Sequence, residues 1–274
     1  MNTADFNTNW RKSAAALYRK PTDSKVFGTV ELDVTELEKF IAEKRRQGLK
    51  ITLTHIFLLA IARSYREAVP ELNCYVRMGR IVPRRSVDAG LSVLIKNGTE
   101  MSSVTVPDAD RLTLTELAAW LDAELSRSRR GDENEAMSNK SMLARIPWPF
   151  RNWVVHLVRL ITIEWGFSVP FLGISPHSFG SFLLTNTGSV GIDVGYPALL
   201  PLANLSAVIS MGFPQSKPAV HEGQIVPRRL LTLSAVMDHR VVDALHAGRL
   251  FRYFKKIVRE PELLEKKPEP VAGQ

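Results

Sequence analysis

The sequence predicts an α/β sandwich built on a mixed sheet. Three observations lead there. Runs such as "KVFGTVELDV" and "RRLLTLSAV" alternate apolar and polar residues as half-buried strands do. Between them lie stretches with apolar residues at helical spacing. Hairpin-like strand pairs interrupt that alternation, so neighbouring strands run in both directions.

Taken in order, residues 1–9 are polar and carry no pattern, and 25–34 read as the first strand. "TELEKFIAEKRRQG" reads as a helix with Thr35 and Glu38 as a capping box, Leu37, Phe40 and Ile41 on one face, and Gly48 as its stop. "THIFLLAIARSYREAVPEL" (54–72) is a largely buried helix ended by Pro70. Residues 80–106 read as strands joined at Asn97-Gly98. Residues 113–131 form a helix with Thr113 and Glu116 as its box and Leu114, Leu117, Leu121 and Leu125 as its stripe. A polar linker (132–141) then opens an apolar, Trp-rich and basic stretch (146–174). Residues 181–191, 205–212 and 224–237 read as strands, with a "HEG" turn between the last two. The chain closes on a helix whose face is Leu250, Phe251, Phe254 and Ile257, stopped at Pro261.

At 274 residues, 45% hydrophobic, the chain can bury a core of ordinary size, and we read 1–274 as one domain with an insertion at 132–178. The formal charge of +8 suits a polyanionic cofactor, anionic lipid or nucleic acid. Nucleic acid lacks support, because basic residues are scattered and do not interleave with aromatics. One cysteine, Cys74, allows no internal disulfide framework and fits a reducing, cytoplasmic setting. No secretory h-region and no spanning apolar run is expected.

The six histidines, His55, His156, His177, His221, His239 and His246, show no H-E-x-x-H or other metal spacing, so no metal is expected. No P-loop, Rossmann fingerprint or G-x-S-x-G elbow occurs. His55 reads as a capping-region residue, His156 lies in the apolar helix, and His177 and His221 fall in turns. His246 reads as a packing or surface residue. His239 differs because it ends a strand in "MDHRVVDAL", with Asp243 four residues on. A general base needs a fixed tautomer and direction, and an aspartate locking the turn would help supply them. The spacing equally fits a strand-to-helix turn with Asp243 as N-cap and a solvated histidine.

"DHRVVDA" resembles the H-x-x-x-D-G signature of the chloramphenicol acetyltransferase fold, shared with the acyltransferase cores of 2-oxo-acid dehydrogenase complexes. "TVELDVTELE", "VPELN", "VDAGLSVLIKNG", "VPDADRLTLTELAAWL" and "FLLTNTGSVGID" continue the resemblance in order, from Trp10 to Leu264 apart from about 135–178. It implies a two-layer sandwich with helices on one face of a mixed sheet. It also implies acyl transfer between coenzyme A and a thiol such as dihydrolipoamide. By resemblance His239 is the general base and Thr185 the hydroxyl that stabilises the tetrahedral oxyanion, with Asn186 beside it. Asp243 braces the histidine loop and Arg11 pairs with that aspartate. Histidine and hydroxyl come from different subunits, which implies a homotrimer with active sites at its interfaces, a step towards higher assembly. O-acylation of a small hydroxyl compound, or a non-catalytic oligomeric scaffold, is the alternative.

Three departures stand out. Ala244 replaces the motif glycine. No lipoyl segment is recognised, so a lipoyl group is expected in trans, on a lipoyl-bearing protein. The insertion is extra, and its face of Trp153, Val154, Leu157, Ile161 and Trp165, begun at Pro149 with Arg151 and Arg159 elsewhere, points to its own trimer, to a partner or peripheral membrane contact through 146–174, or to an active-site lid.

Overall fold

The computed structural model describes residues 24–95, 100–129, 147, 150–169, 175–199 and 203–268. The strands are β1 (Lys25–Asp33), β2 (Cys74–Arg77), β3 (Arg80–Pro83), β4 (Ala89–Ile95), β5 (Glu100–Val106), β6 (Phe182–Asn186), β7 (Ala207–Met211), β8 (Gln215–His221) and β9 (Gln224–Asp238). The α-helices are α1 (Thr35–Arg46), α2 (Leu53–Glu67), α3 (Leu114–Arg129), α4 (Phe150–Arg159) and α5 (Ala244–Arg259).

Seven strands form one sheet in the order β1-β9-β7-β6-β4-β5, with β8 paired to β9, while β2 and β3 make a separate hairpin. β4, β6 and β7 are parallel, and the remaining pairings in this sheet are antiparallel, so it is mixed as expected. Its register decides what each face carries. Leu91, Leu184, Ile209 and Ala235 are buried in one core cluster with the apolar faces of α1, α2, α3 and α5. Alternate positions point the other way. There Ser92 pairs with Thr185, Thr185 with Ser210, Ser210 with Ser234, and Ser234 with Thr29. A row of hydroxyls therefore crosses the face away from the helices. A small cluster of Ala203, Leu205 and Val208, packed with Phe179, Leu183 and Leu199, covers part of that face.

The helix predictions hold with local exceptions. The Thr113–Glu116 box forms, with the Glu116 amide donating to Thr113 Oγ1 (3.3 Å) and the Thr113 amide to Glu116 Oε2 (2.8 Å). Leu114, Leu117 and Leu121 are buried, and the side chain of Leu125 lies outside the described residues. The Thr35–Glu38 box does not form. Thr35 Oγ1 instead donates to Asp33 (2.6 Å) and accepts from the Arg229 amide (2.9 Å), and Glu38 takes the Arg229 guanidinium (3.2 Å). The pairing with β9 takes the groups the box needs. The "HEG" turn joins β9 to β8 and not to the strand expected at 205–212, and within this unexpected strand Pro218 faces Pro227 across the pair. Glu222 and Gly223 both have positive φ, as a tight two-residue hairpin turn requires. The Asn97-Gly98 turn and the 132–141 linker lie outside the described residues.

Candidate active site

β9 ends at Asp238, and the chain turns sharply over the next four residues into α5. The amides of Val241 and Val242 both donate to the Asp238 carbonyl (3.0 and 3.1 Å), and the His239 amide donates to the Ser24 carbonyl (2.7 Å). The Asp238 carboxylate accepts from the Arg240 amide (3.0 Å), from Arg240 Nε (3.0 Å) and Nη2 (2.6 Å), and from Ser24 Oγ (3.2 Å). Burial works to raise this carboxyl, but the hydrogen bonds from Arg240 outweigh it and hold it below the usual carboxylate range. The turn is thus tied at both ends by short polar contacts.

Within it, His239 Nδ1 lies 2.6 Å from the Val242 carbonyl oxygen. A carbonyl only accepts, so Nδ1 carries the proton, and in the neutral ring Nε2 keeps its lone pair. The imidazole is exposed, and Nε2 is the nitrogen left for a substrate. A general base needs this arrangement.

Asp243 does something other than touch the imidazole. It is the N-cap of α5: Oδ1 accepts from the amides of Leu245 (2.9 Å) and His246 (3.3 Å), and His246 Nδ1 lies 2.8 Å from the same oxygen. The backbone bond from His246 is the largest influence on this carboxyl and, with the His246 side chain and the Leu245 amide, holds it below its ordinary range against desolvation. Fixing the first turn of α5 also fixes the peptide next to it, whose Val242 carbonyl orients His239. Arg11 lies outside the described residues. Sequence reasoning missed three contributors here: Asp238, Arg240 and His246. The i,i+2 spacing of Asp238 and Arg240 was the available signal.

Thr185 lies on β6, 8% exposed, in the hydroxyl row between Ser92 and Ser210. Ser210 Oγ is 2.8 Å from Thr187 Oγ1, and Ser234 Oγ is buried with no partner among the described residues. Asn186 caps the turn that follows, accepting from the Ser189 amide (3.1 Å) and donating to Thr54 Oγ1 (3.3 Å). It lines a cleft of about 640 Å³ formed with the start of α2 and the segment Met211–Pro214.

The register sets the separation. Thr185 aligns through Ser210 with Ser234, and His239 lies further along the same strand as Ser234. At the usual spacings this puts the two residues about 17 Å apart along the strands and about 10 Å across them. The structure therefore does not bring His239 and Thr185 together within one chain.

A second cleft, of about 480 Å³, opens beside the histidine turn, between Asp238 and Arg240 on one side and Arg159, Ile163 and Glu164 of the insertion on the other. Cys74 also lines it, its thiol pushed up to about 11 by burial, which disfavours a thiolate at neutral pH. Among the described residues no group of three or more His, Cys, Asp or Glu could hold a metal ion, and no helix is long and apolar enough to cross a membrane.

The family model for 2-oxoacid dehydrogenases acyltransferase (catalytic domain) matches residues 7–141 and 174–265, leaving 142–173 unmatched. The dihydrolipoyllysine-residue acetyltransferase component of the pyruvate dehydrogenase complex of Mycoplasma capricolum is 22% identical over 261 residues, 93% of this chain and 50% of that protein. The chain thus spans about half the length of that relative. Among solved structures, a probable dihydrolipoamide acetyltransferase from Listeria monocytogenes superposes with a TM-score of 0.63 at 17% identity, covering 96% of both chains. A chloramphenicol acetyltransferase superposes with a TM-score of 0.52 at 15% identity, covering 92% of this chain and 96% of that one. These likenesses bear out the expected fold, and the match along most of the sequence establishes that the chain belongs to the family of 2-oxoacid dehydrogenases acyltransferase catalytic domains.

Proposed function

We propose that the protein transfers an acyl group between coenzyme A and a thiol acceptor such as dihydrolipoamide, at a site shared by two subunits of a homotrimer. The observation that carries this reading is the bond from His239 Nδ1 to the Val242 carbonyl, which leaves Nε2 free to take a proton. The thiol of coenzyme A, or of dihydrolipoamide in the reverse direction, gives its proton to Nε2. The thiolate attacks the thioester carbonyl, and Thr185 Oγ1–H donates to the oxyanion of the tetrahedral intermediate. Collapse expels the second thiolate, which recovers the proton from the imidazolium. Asp243 holds the start of α5, with Arg11 as its partner, and Asn186 fixes the turn after Thr185.

The separation of His239 from Thr185 supports the shared site. A reacting carbon has to lie within a few ångströms of both groups, and one chain offers them about 17 Å apart along the strands and about 10 Å across them. The relative from Mycoplasma capricolum is a component of a larger complex, and we infer a lipoyl group delivered in trans on another protein, in the cytoplasm, with trimers able to assemble further. The fold shared with chloramphenicol acetyltransferase supports the second reading, O-acylation of a small hydroxyl compound.

The test is transfer from an acyl-CoA to dihydrolipoamide, with a hydroxylated acceptor in competition. Wild type should prefer the thiol, and His239→Ala should lose about 10²–10⁴-fold in kcat with its oligomeric state unchanged. Wild-type rates in that variant would remove the base from His239. Coenzyme A binding without turnover in wild type would favour a scaffold.

A further inference from the structure

The insertion brings a carboxylate to the cleft beside the histidine turn. After α4 the chain makes a π-turn, Leu160–Glu164, closed by the Trp165 amide donating to the Leu160 carbonyl (3.0 Å). Thr162 and Ile163 are buried, and Thr162 Oγ1 donates back to the Val158 carbonyl (2.8 Å). The β2–β3 hairpin holds the next residue in place. Arg77 Nε donates to the Glu164 carbonyl (3.3 Å), Arg77 Nη2 to the Trp165 carbonyl, and the Met78 amide to Glu164 Oε2 (3.1 Å). Gly166 has positive φ, and a Cβ there would lie 2.6 Å from the guanidinium carbon of Arg77, so glycine admits that approach. Glu164 is thereby fixed at its backbone and at one carboxylate oxygen.

The cleft of about 480 Å³ lies between Glu164 and the turn that carries His239. The cations lining it are Lys25, Arg159 and Arg240, and the carboxylates are Asp238 and Glu164. Arg240 gives Nε and Nη2 to Asp238, which leaves Nη1 without a hydrogen bond among the described residues. Glu164 Oε1 is in the same position, since the Met78 amide uses Oε2. The hydrogen bonds to Asp238 are the main reason that Arg240 holds its charge more firmly than an ordinary arginine, and attraction to Glu164 adds to them. An exposed arginine samples many rotamers, whereas the fork on Asp238 requires one. A second carboxylate, itself fixed, attracts the guanidinium in the clamped pose and so weights that rotamer. Lys25 and Arg159, being cations, offer it no competing partner.

We propose that Glu164 is a positioning residue for His239: it steadies Arg240 on Asp238 and so stiffens the turn that aims the imidazole. This role rests on the reading of His239 as the general base. Glu164 falls within 142–173, which the family model leaves unmatched, so the support belongs to this chain's insertion and not to the family pattern. The insertion then acts on the reaction without touching substrate.

Acyl-transfer kinetics of the full chain, arranged as a double-mutant cycle, test it. Glu164→Gln keeps an oxygen for the Met78 amide and removes only the charge. It should lower kcat about threefold with KM unchanged, and Glu164→Lys should lower kcat about tenfold. Trp153→Ala, on the exposed side of the same insertion, should leave both constants at wild type. In an Arg240→Gln background, Glu164→Gln should change nothing further. A second readout needs no turnover. With isotope-labelled histidine, the ring resonance lost in His239→Ala should shift in Glu164→Gln, and should stay put when Arg240→Gln is already present. Losses that multiply independently in the two variants, a rise in kcat in Glu164→Gln, or an unmoved His239 resonance would overturn the proposal. Wild-type rates in His239→Ala would instead remove the base itself, and the resonance would still report whether Glu164 reaches the turn.

Discussion

Two regions of the central sheet, the turn after β9 and the interior strand β6, hold their polar residues in different ways. At the β9 end, His239 is exposed on a turn, and its direction comes from a web of hydrogen bonds through Ser24, Asp238, Arg240 and Val242. On β6, Thr185 needs no such web, because it is buried within a strand paired on both sides. Under the proposed mechanism, the group that would accept and release a proton is left reachable, while the group that would only donate to a developing charge is set in rigid backbone. If that mechanism holds, neither region is a whole site, and each can be disabled by itself.

Subunit mixing breaks the comparison most directly. His239→Ala and Thr185→Val should each be nearly inactive as pure proteins, the second losing about 10²–10³-fold, mainly in kcat. Dissociated and reassembled together in equal amounts, they should regain about a quarter of wild-type activity, because a quarter of the interfaces receive both intact residues. A site contained in one chain predicts no recovery. If Thr185→Val raises KM and leaves kcat alone, Thr185 binds substrate and stabilises no oxyanion.

A smaller effect separates the turn from the residue it carries. Asp238→Asn removes the charge paired with Arg240 while keeping size. Arg240 is more than half exposed, so solvent screens the pair and its loss costs about 0.5–1 kcal/mol. The kcat should fall several-fold through a looser imidazole, with KM little changed. Because the folded Asp238 carboxyl titrates below its ordinary value, its contribution is present above the ordinary range and is lost as pH falls through the lowered one. Below about pH 4 the melting midpoint of wild type should therefore converge on that of Asp238→Asn. Parallel curves down to the lowest pH would exclude Asp238 as the clamp.

What the sequence made legible follows the same division. Strands and helices that bury one face were readable from periodicity alone, as in β1, α3 and α5, since burial and pattern have the same cause. The alignment of Thr185 with Ser210 and Ser234 was not, because strand order and register depend on pairing across long stretches of chain. His239 was singled out by its spacing to Asp243, yet the contact that orients it is a backbone carbonyl, which leaves no mark on residue type. The Thr35 box failed for a related reason: its hydroxyl had a better partner on a strand nearly two hundred residues away. The π-turn at Leu160–Glu164 was hidden as well. Sequence placed Trp153, Val154, Leu157, Ile161 and Trp165 on one face, and the structure leaves Trp153, Leu157 and Trp165 exposed while Val154 and Ile161 are half-buried.

The smallest expected effect decides how Asp243 works. Asparagine is as good an N-cap as aspartate, whereas alanine is not. If Asp243 acts by fixing the first turn of α5, and through it the Val242 carbonyl, Asp243→Asn should keep kcat near wild type. Asp243→Ala should then lower kcat a few-fold and the melting midpoint by a few degrees. If its charge is what matters, through the pairing with Arg11 that the family resemblance implies, Asn and Ala should be equally impaired and Arg11→Leu should match them. Among the described residues, the polar contacts to this carboxylate all use Oδ1 and all come from the helix it begins, which is what the capping reading requires. Wild-type kcat in Asp243→Ala would sink both readings and leave Asp238 and Arg240 as the only clamp on the imidazole.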